Sequence, residues 1–224
     1  MAAGIPRYLV ETGQNALGPA FSGILKLCAE QSINRITLVV PSKGQFPNTL
    51  VGKFLGTATT KALLSGKAVA MMTGGPVMAV QSPATFSRGA FNQSMIVCAH
   101  ISGDDQRRID DAPGAKAIVY LPWKEPDGKE WLATWHPKTI GPSTWTAPSN
   151  TLAPPVEAAL ERLTNIINLG AGLGHPSDKA AAVSMVAKLR TEGHAFDSRE
   201  MKRWALRHGW SSNAAQALED LAMK

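Results

Sequence analysis

The residue types best suited to bind an anion occur in the loop 41–45, which follows the apolar, β-branched run ITLVV. Such an uninterrupted run is typical of a strand that is buried on both faces of a parallel sheet. In the loop, Ser42 can donate a hydrogen bond, Lys43 adds a positive charge, and Gly44 lets the backbone approach a ligand closely. Asn48 is the predicted N-cap of the next helix, whose first N–H groups would face the same ligand. The pattern predicts a phosphate-binding loop. An ordinary turn with a solvent-exposed Lys43 is equally compatible with the same residues.

A second candidate loop follows the predicted first strand, residues 7–11, and contains Gly13, Gln14 and Asn15. It is not a G-x-G-x-x-G motif, and it lacks the Lys-Ser/Thr pair that would complete a P-loop. In a doubly wound sheet it would lie beside the Ser42 loop and contact the other end of a ligand. The alternative is that Gly13 only permits the turn. No acidic residue follows ITLVV to bind ribose hydroxyls, so the sequence has no plain NAD signature and leaves the cofactor unknown.

His100 is the candidate catalytic residue, because it stands near the C-terminal end of a predicted strand, residues 95–101. Asp104 and Asp105 follow closely and could orient the imidazole for general acid–base chemistry. A histidine that only makes a hydrogen bond at a strand end gives the same pattern. The five histidines and two cysteines show no metal-ligand spacing, so we expect no metal site and two buried free thiols.

Positive charge is concentrated in one part of the sequence. The chain has a formal net charge of +6, from 23 basic and 17 acidic residues. A field of one sign attracts anions such as phosphates, but buried strands also tend to carry few charges of either sign. Residues 31–103 contain no Asp or Glu, so the whole imbalance comes from their six basic residues: Arg35, Lys43, Lys53, Lys61, Lys67 and Arg88.

Four tryptophans, Trp123, Trp131, Trp135 and Trp145, lie within 23 residues and are interspersed with lysines. Aromatic side chains among basic ones can stack on nucleic-acid bases or anchor a partner protein. Tryptophan is also a large residue that seals the edges of a core, which is the simpler interpretation.

The C-terminal segment resembles a helix-turn-helix in its spacing, because Asp197 caps a predicted helix that ends at Gly209, and Ser211 caps another. The first helix of this pair carries a basic stripe that could contact nucleic acid. The second helix, residues 212–224, is poorly suited to contact DNA bases, since it has Glu219 and Asp220 and no basic residue before Lys224. Packing or dimerisation is therefore the favoured role of the pair. The residues of the stripe are Arg199, Lys202, Arg203 and Arg207.

Strands that alternate with helices predict an α/β fold with a doubly wound, mostly parallel, Rossmann-like sheet, followed by a small all-helical domain. We expect the sheet domain at residues 1–136 and the helical domain at 156–224. Between them, residues 137–155 contain five prolines and predict a linker or a segment draped over the surface. The run EWLATW, residues 130–135, predicts an added edge strand, and a further strand is expected at either 68–72 or 76–81.

Residues 12–56 resemble the C-terminal α/β domain of pyruvate kinase and its free-standing relatives. The resemblance rests on the run PAFSGILKLCAEQSINRITLVVPSKGQFPNTLVGKFL, in which a helix leads to a buried strand and then to Ser42-x-Gly44. It departs from the family pattern at Gln45, where a threonine is usual. The resemblance implies a phosphate-binding or regulatory site, with Ser42 and Gly44 as its binding residues.

These patterns favour a ligand-binding or regulatory protein whose α/β domain binds an anionic small molecule, either a phosphorylated compound or a nucleotide. One alternative is a nucleic-acid-associated protein that uses the basic region and the C-terminal helix pair, and another is an enzyme that uses His100. The N-terminal residues show no secretory signal, and the longest uncharged run, residues 68–87, contains two glycines and two prolines. We therefore expect a cytoplasmic protein without a membrane helix. The helical domain could also mediate the formation of a homo-oligomer.

Overall fold

The computed structural model describes residues 4–11, 16–86, 93–110, 114–149, 152–169 and 172–224. The strands found in these residues are β1 (Arg7–Leu9), β2 (Arg35–Val39), β3 (Val69–Ala70), β4 (Val77–Gln81), β5 (Met95–Ala99), β6 (Ala117–Leu121) and β7 (Lys138–Thr139). They form one sheet in the order β3-β4-β2-β5-β6-β1-β7. All neighbouring strands are parallel except β3, which is antiparallel to β4.

Helices flank this sheet and then continue alone to the end of the chain, so the predicted fold class is confirmed. Side chains from the first three helices pack with one face of the sheet in a single apolar core. The next two helices contact the other face, where the ring of Trp131 meets that of Tyr120 edge to face at 5.5 Å. The helices of the described residues are α1 (Leu17–Glu30), α2 (Leu50–Leu55), α3 (Thr57–Leu64), α4 (Gly103–Asp110), α5 (Glu125–Trp135), α6 (Pro154–Ile166), α7 (Pro176–Thr191), α8 (Ser198–Arg207) and α9 (Ser212–Met223).

The strands β2, β5 and β6 have the buried apolar sequences that parallel strands need. Every residue of β5 and β6 is buried, and so are the last four residues of β2. Successive side chains alternate between the two faces, which lets both layers of helices pack against the same strands.

Two predictions about individual elements are corrected. EWLATW is the C-terminal half of the helix α5, not an edge strand. This helix begins with Glu125, Pro126 and Asp127, a proline and two acids that suit the first turn of a helix. The two runs around 68–72 and 76–81, which could not be separated as candidates for one strand, are the two strands β3 and β4 of an antiparallel pair.

The segment that follows α5 belongs in part to the sheet. β7 pairs in parallel with β1, through Tyr8 opposite Lys138 and Leu9 opposite Thr139. Beyond it, the carboxylate of Glu11 accepts hydrogen bonds from the hydroxyls of Ser143 (2.9 Å) and Thr144 (2.8 Å).

The contacts divide the chain into two compact units, which we call the α/β unit and the helical unit. The α/β unit comprises Met1–Leu132 and His136–Ala147, and the helical unit comprises Ala133–Trp135 and Pro148–Lys224. The predicted linker, 137–155, is therefore shared between the two. None of the described helices is long and apolar enough to cross a membrane.

The helical unit has its own apolar core, built from α6 to α9. The predicted caps are in place: the Asp197 carboxylate accepts from the N–H of Arg199, and the Ser211 hydroxyl accepts from the N–H of Ala214. Trp210 is buried between the capped helices and donates its indole N–H to the hydroxyl of Thr164 at 2.9 Å.

Candidate ligand site at the carboxyl edge of the sheet

The chain reverses its direction across the sheet between β2 and β5. From β2 it continues to β4 on one side, and from β5 it continues to β6 on the other side. Loops that leave adjacent parallel strands in opposite directions leave a crevice between them, and open α/β sheets bind ligands at such a point. The register pairs Val39 with Cys98, so the Ser42 loop and His100 follow at neighbouring strand ends.

The loop 41–45 is exposed but firmly attached at both ends. Val40 before it and Phe46 after it are almost completely buried, and the N–H of Phe46 donates to the carbonyl of Lys43 at 3.3 Å. Lys43 is half-buried, whereas Ser42 and Gly44 are exposed. The side chains of Ser42 and Lys43 have no hydrogen bond or ion pair with any residue that the structure describes. Both groups are therefore available to an anion.

Asn48 does not cap the helix after this loop, which corrects the prediction. It is exposed and lies in a short 3₁₀ turn, Phe46–Asn48, so α2 begins later and Thr49 is its N-cap. The Thr49 hydroxyl accepts from the N–H of Gly52 at 3.0 Å and donates to the carbonyl of Phe46 at 2.7 Å. A β-carbon at position 52 would overlap this same carbonyl, so the tight connection requires glycine.

His100 stands at the end of β5 in a backbone conformation that side chains rarely adopt. Its φ is 59°, in the left-handed region, and its N–H donates to the carbonyl of Leu121 at 2.8 Å. Partial burial lowers the pKa of His100 below its ordinary value of 6.5, so the imidazole is neutral at pH 7. Its ring meets that of Trp123 edge to face, with centroids 5.2 Å apart.

The acids that follow His100 in sequence have other partners. The Asp105 carboxylate accepts from the hydroxyl of Ser102 at 2.8 Å, and Asp104 forms an ion pair with Arg107. Neither aspartate has a described contact with the imidazole. His100 could accept or donate a proton as a neutral imidazole, without a carboxylate to orient it.

The four tryptophans do not form one surface. Trp131 is buried and donates its indole N–H to Asp110 at 2.8 Å. Trp145 packs over Gly128, where a β-carbon would overlap the indole ring. Trp135 belongs to the helical unit. Trp123 is the exception, because 60% of it is exposed beside His100.

The cations of residues 31–103 do not gather at this edge as a group. Arg35 begins β2 and therefore lies at the opposite edge of the sheet from Lys43. Lys53 and Lys61 are exposed on α2 and α3. Arg88 and the second candidate loop, Gly13, Gln14 and Asn15, lie outside the described residues. Lys67 is exposed and precedes β3, which is antiparallel to its neighbour β4. Of the six cations, Lys43 is the one that lies in the loop directly after β2.

Sequence reasoning missed a buried polar cluster at the other edge of the sheet, around Asp110. Its carboxylate accepts from Trp131 and from the side-chain amide of Gln106 at 3.3 Å, and it lies 3.4 Å from the Arg7 guanidinium. Burial raises the pKa of Asp110 to about 6, although the Arg7 charge opposes the shift. In sequence, only the spacing of Gln106 and Asp110, one helical turn apart, indicates this cluster.

The basic stripe of α8 is largely engaged within the helical unit. The ammonium of Lys202 contacts Glu219 at 2.7 Å and Gln216 at 2.6 Å, and Arg203 forms an ion pair with Glu200. Arg207 donates to the carbonyl of Thr134 at 3.1 Å, and Arg199 is exposed. These pairings reduce the positive charge that α8 offers to nucleic acid.

Two further observations concern possible sites elsewhere in the described chain. These residues contain no group of three or more His, Cys, Asp and Glu side chains that could hold a metal ion. A groove of about 400 Å³ lies between α6 and α7, and its lining combines apolar residues with Arg162, Ser184, Lys188 and Glu192. Lys188 is paired with Glu192 at 3.6 Å.

The family likeness found by comparison concerns the helical unit. Residues 152–224 match the family model described as a domain of unknown function (DUF1889). No curated protein and no solved structure matches the chain. The α/β unit lies outside the matched range, so its site has to be interpreted from its own residues.

Proposed function

We propose that the α/β unit binds a phosphorylated small molecule in the crevice between the carboxyl ends of β2 and β5. The observation that carries this proposal is the reversal of the chain at these two strands, beside a fixed loop whose lysine has no partner among the described residues. Ser42 would donate a hydrogen bond to a phosphate oxygen, and Lys43 would supply the charge. Residues 31–103 contain no carboxylate, and the acids that follow at the start of α4, Asp104 and Asp105, are engaged with Arg107 and with the hydroxyl of Ser102.

The neutral imidazole of His100 supports the same proposal. It lies at the adjacent strand end and can donate one hydrogen bond to a phosphate or sugar oxygen without a charge of its own. A ligand in this place would therefore meet one cation, one hydroxyl and one imidazole. This set suits a single phosphate group better than a chain of phosphates.

Thermal unfolding of the full chain, measured with inorganic phosphate, sugar phosphates and nucleotides, tests the proposal. A compound at 100 times its Kd stabilises the folded state by about 2.7 kcal/mol, which raises the melting temperature measurably. We expect a shift with the wild type and none with Ser42→Ala/Lys43→Ala. Lys61→Ala is the matched control, because it removes an exposed cation from the same acid-free stretch but from α3. The proposal is wrong if no phosphate compound shifts the wild type, or if both variants respond like it.

A second candidate function is catalysis by His100 on the bound compound. The left-handed backbone at φ 59° favours it, because strained positions of this kind are common at active sites. His100→Ala would then abolish any chemical change of the compound, whereas the affinity would fall only by the loss of one hydrogen bond. Binding without any such change, followed by phosphorus NMR over hours, would leave the α/β unit as a binding unit only.

A further inference from the structure

Trp123 is unusually exposed for a tryptophan at the end of a buried strand. It lies two residues beyond β6, after the buried Leu121 and Pro122, and 60% of it is accessible to solvent. Tryptophan is buried to a high degree on average, because its large apolar ring is costly to leave in water. An indole that is exposed in this position is a surface on which a ligand can stack.

The ring of Trp123 is held in place without being covered. His100 meets it at an angle of 66° between the ring planes, with 5.2 Å between centroids. Edge-to-face pairs of this kind stabilise one orientation of the two rings. A flat aromatic compound could therefore stack on the indole with little loss of side-chain freedom.

The position of Trp123 relative to the Ser42 loop follows from the strand order. β2, β5 and β6 are consecutive neighbours, so the Ser42 loop, His100 and Trp123 follow one another along the same edge. Neighbouring strands lie about 4.8 Å apart, so the carboxyl ends of β2 and β6 are roughly 10 Å from each other. This separation suits a compound with a phosphate at one end and an aromatic ring at the other.

We propose that the ligand is a nucleotide whose base stacks on Trp123 while its phosphate lies at Ser42, Lys43 and Gly44. This inference rests on the proposed phosphate site and adds the identity of the rest of the molecule. A sugar phosphate would satisfy the loop and leave Trp123 in water. A nucleic-acid strand would need several cations along its path, whereas the loop 41–45 supplies one, Lys43.

The test compares nucleoside 5′-monophosphates (AMP, GMP, CMP and UMP) with ribose 5-phosphate by calorimetric titration of the full chain. Stacking on an aromatic side chain strengthens binding by about 5- to 150-fold, so at least one nucleotide should bind tighter than ribose 5-phosphate by this factor. Trp123→Ala should remove the difference, and Trp123→Phe should keep most of it. Phe54→Ala, which removes an exposed aromatic ring from α2, is the matched control and should change neither affinity.

A fluorescence measurement locates the base. Stacking should quench part of the tryptophan emission of the wild type, and this quenching should be absent in Trp123→Phe, although the variant still binds. The remaining five tryptophans provide the reference signal.

The possible outcomes separate the two proposals. If ribose 5-phosphate binds as tightly as the nucleotides and Trp123→Ala has no effect, the nucleotide is wrong and the phosphate site stands. If no compound binds, both proposals fall. If a single-stranded oligonucleotide binds far more tightly than every mononucleotide, and steeply less so with added salt, the ligand is a nucleic acid instead.

Discussion

The loop after β2 and the helix α8 differ in whether their basic side chains are paired with acidic ones. On α8, Lys202 and Arg203 are half-buried and paired with Glu219 and Glu200. In the loop, Lys43 is half-buried without an acidic partner among the described residues. A paired cation contributes to the packing of its own unit, whereas an unpaired cation on a fixed loop is free to contact a ligand. The difference indicates that the availability of a charge, rather than the number of charges, marks a binding surface.

The largest effect should come from the turn that fixes the loop. In Gly52→Ala, the added methyl overlaps the carbonyl of Phe46, so the backbone must move. We expect the free energy of unfolding to fall by 3 kcal/mol or more, at the upper end of the cost of overpacking, and phosphate binding to be lost with it. Gly18→Ala in α1 is the control, since nothing lies within 4 Å of that site and it should gain about 0.5 kcal/mol. Equal urea midpoints for the two variants would contradict the assigned role of the turn.

The buried charge at the opposite edge should make stability depend on pH. Burial raises the pKa of Asp110 from 3.8 to about 6, so the folded state favours the protonated carboxyl. Its stabilising contribution is complete below pH 3.8 and is lost as the pH rises through 6. The loss amounts to about 3 kcal/mol by pH 7.5, at 1.36 kcal/mol for each unit of pKa. It should appear as the difference between the wild type and Asp110→Asn in urea unfolding from pH 4 to 7.5.

Asp104→Asn is the control for this pH series, because the side chain of Asp104 is 84% exposed. It should follow the wild type at every pH. Parallel curves for the wild type and Asp110→Asn would show that the Arg7 charge and the hydrogen bonds offset the burial completely.

The same substitution at Lys202 in α8 and at Lys43 in the loop tests whether the two cations differ in their structural role. Lys202→Met leaves Glu219, which is 9% exposed, without its cationic partner and should cost about 2 kcal/mol. Lys43→Met removes no contact with a described residue and should change stability by less than about 0.5 kcal/mol. Phosphate binding should show the reverse order, with Lys43→Met weakened and Lys202→Met unchanged. A similar loss of stability in both would mean that Lys43 has a structural role.

Much of the fold could be predicted because its strands and caps are local signals. The apolar run around Ile36 is a strand, and Asp197 and Ser211 cap helices as their positions predict. The strand prediction for EWLATW was wrong because tryptophan and threonine favour strands, and because Gly128 weakens the helical pattern that precedes this run. Trp131 resolves the ambiguity through its contacts with Tyr120 and Asp110, which lie elsewhere in the sequence.

The candidate site could be predicted only in its parts. The Ser42 loop and His100 were recognisable from their positions after strands, but their adjacency depends on the order of β2 and β5 in the sheet. Trp123 was one of four similar tryptophans, and only its exposure distinguishes it. The pairing of Lys202 could not be predicted either, because Glu219 lies 17 residues from it. Non-local contacts decide these points, and the sequence does not encode them in any local pattern.

The place of β1 between β6 and β7 has a consequence for synthesis on the ribosome. Arg7 pairs with Ile118 and Tyr8 with Lys138, so neither neighbour of β1 exists until more than 100 further residues have been translated. At 5–20 residues per second, the nascent chain carries this strand without a partner for about 6 to 22 s. Although β1 is translated before the other described strands of its sheet, it is therefore among the last to enter that sheet.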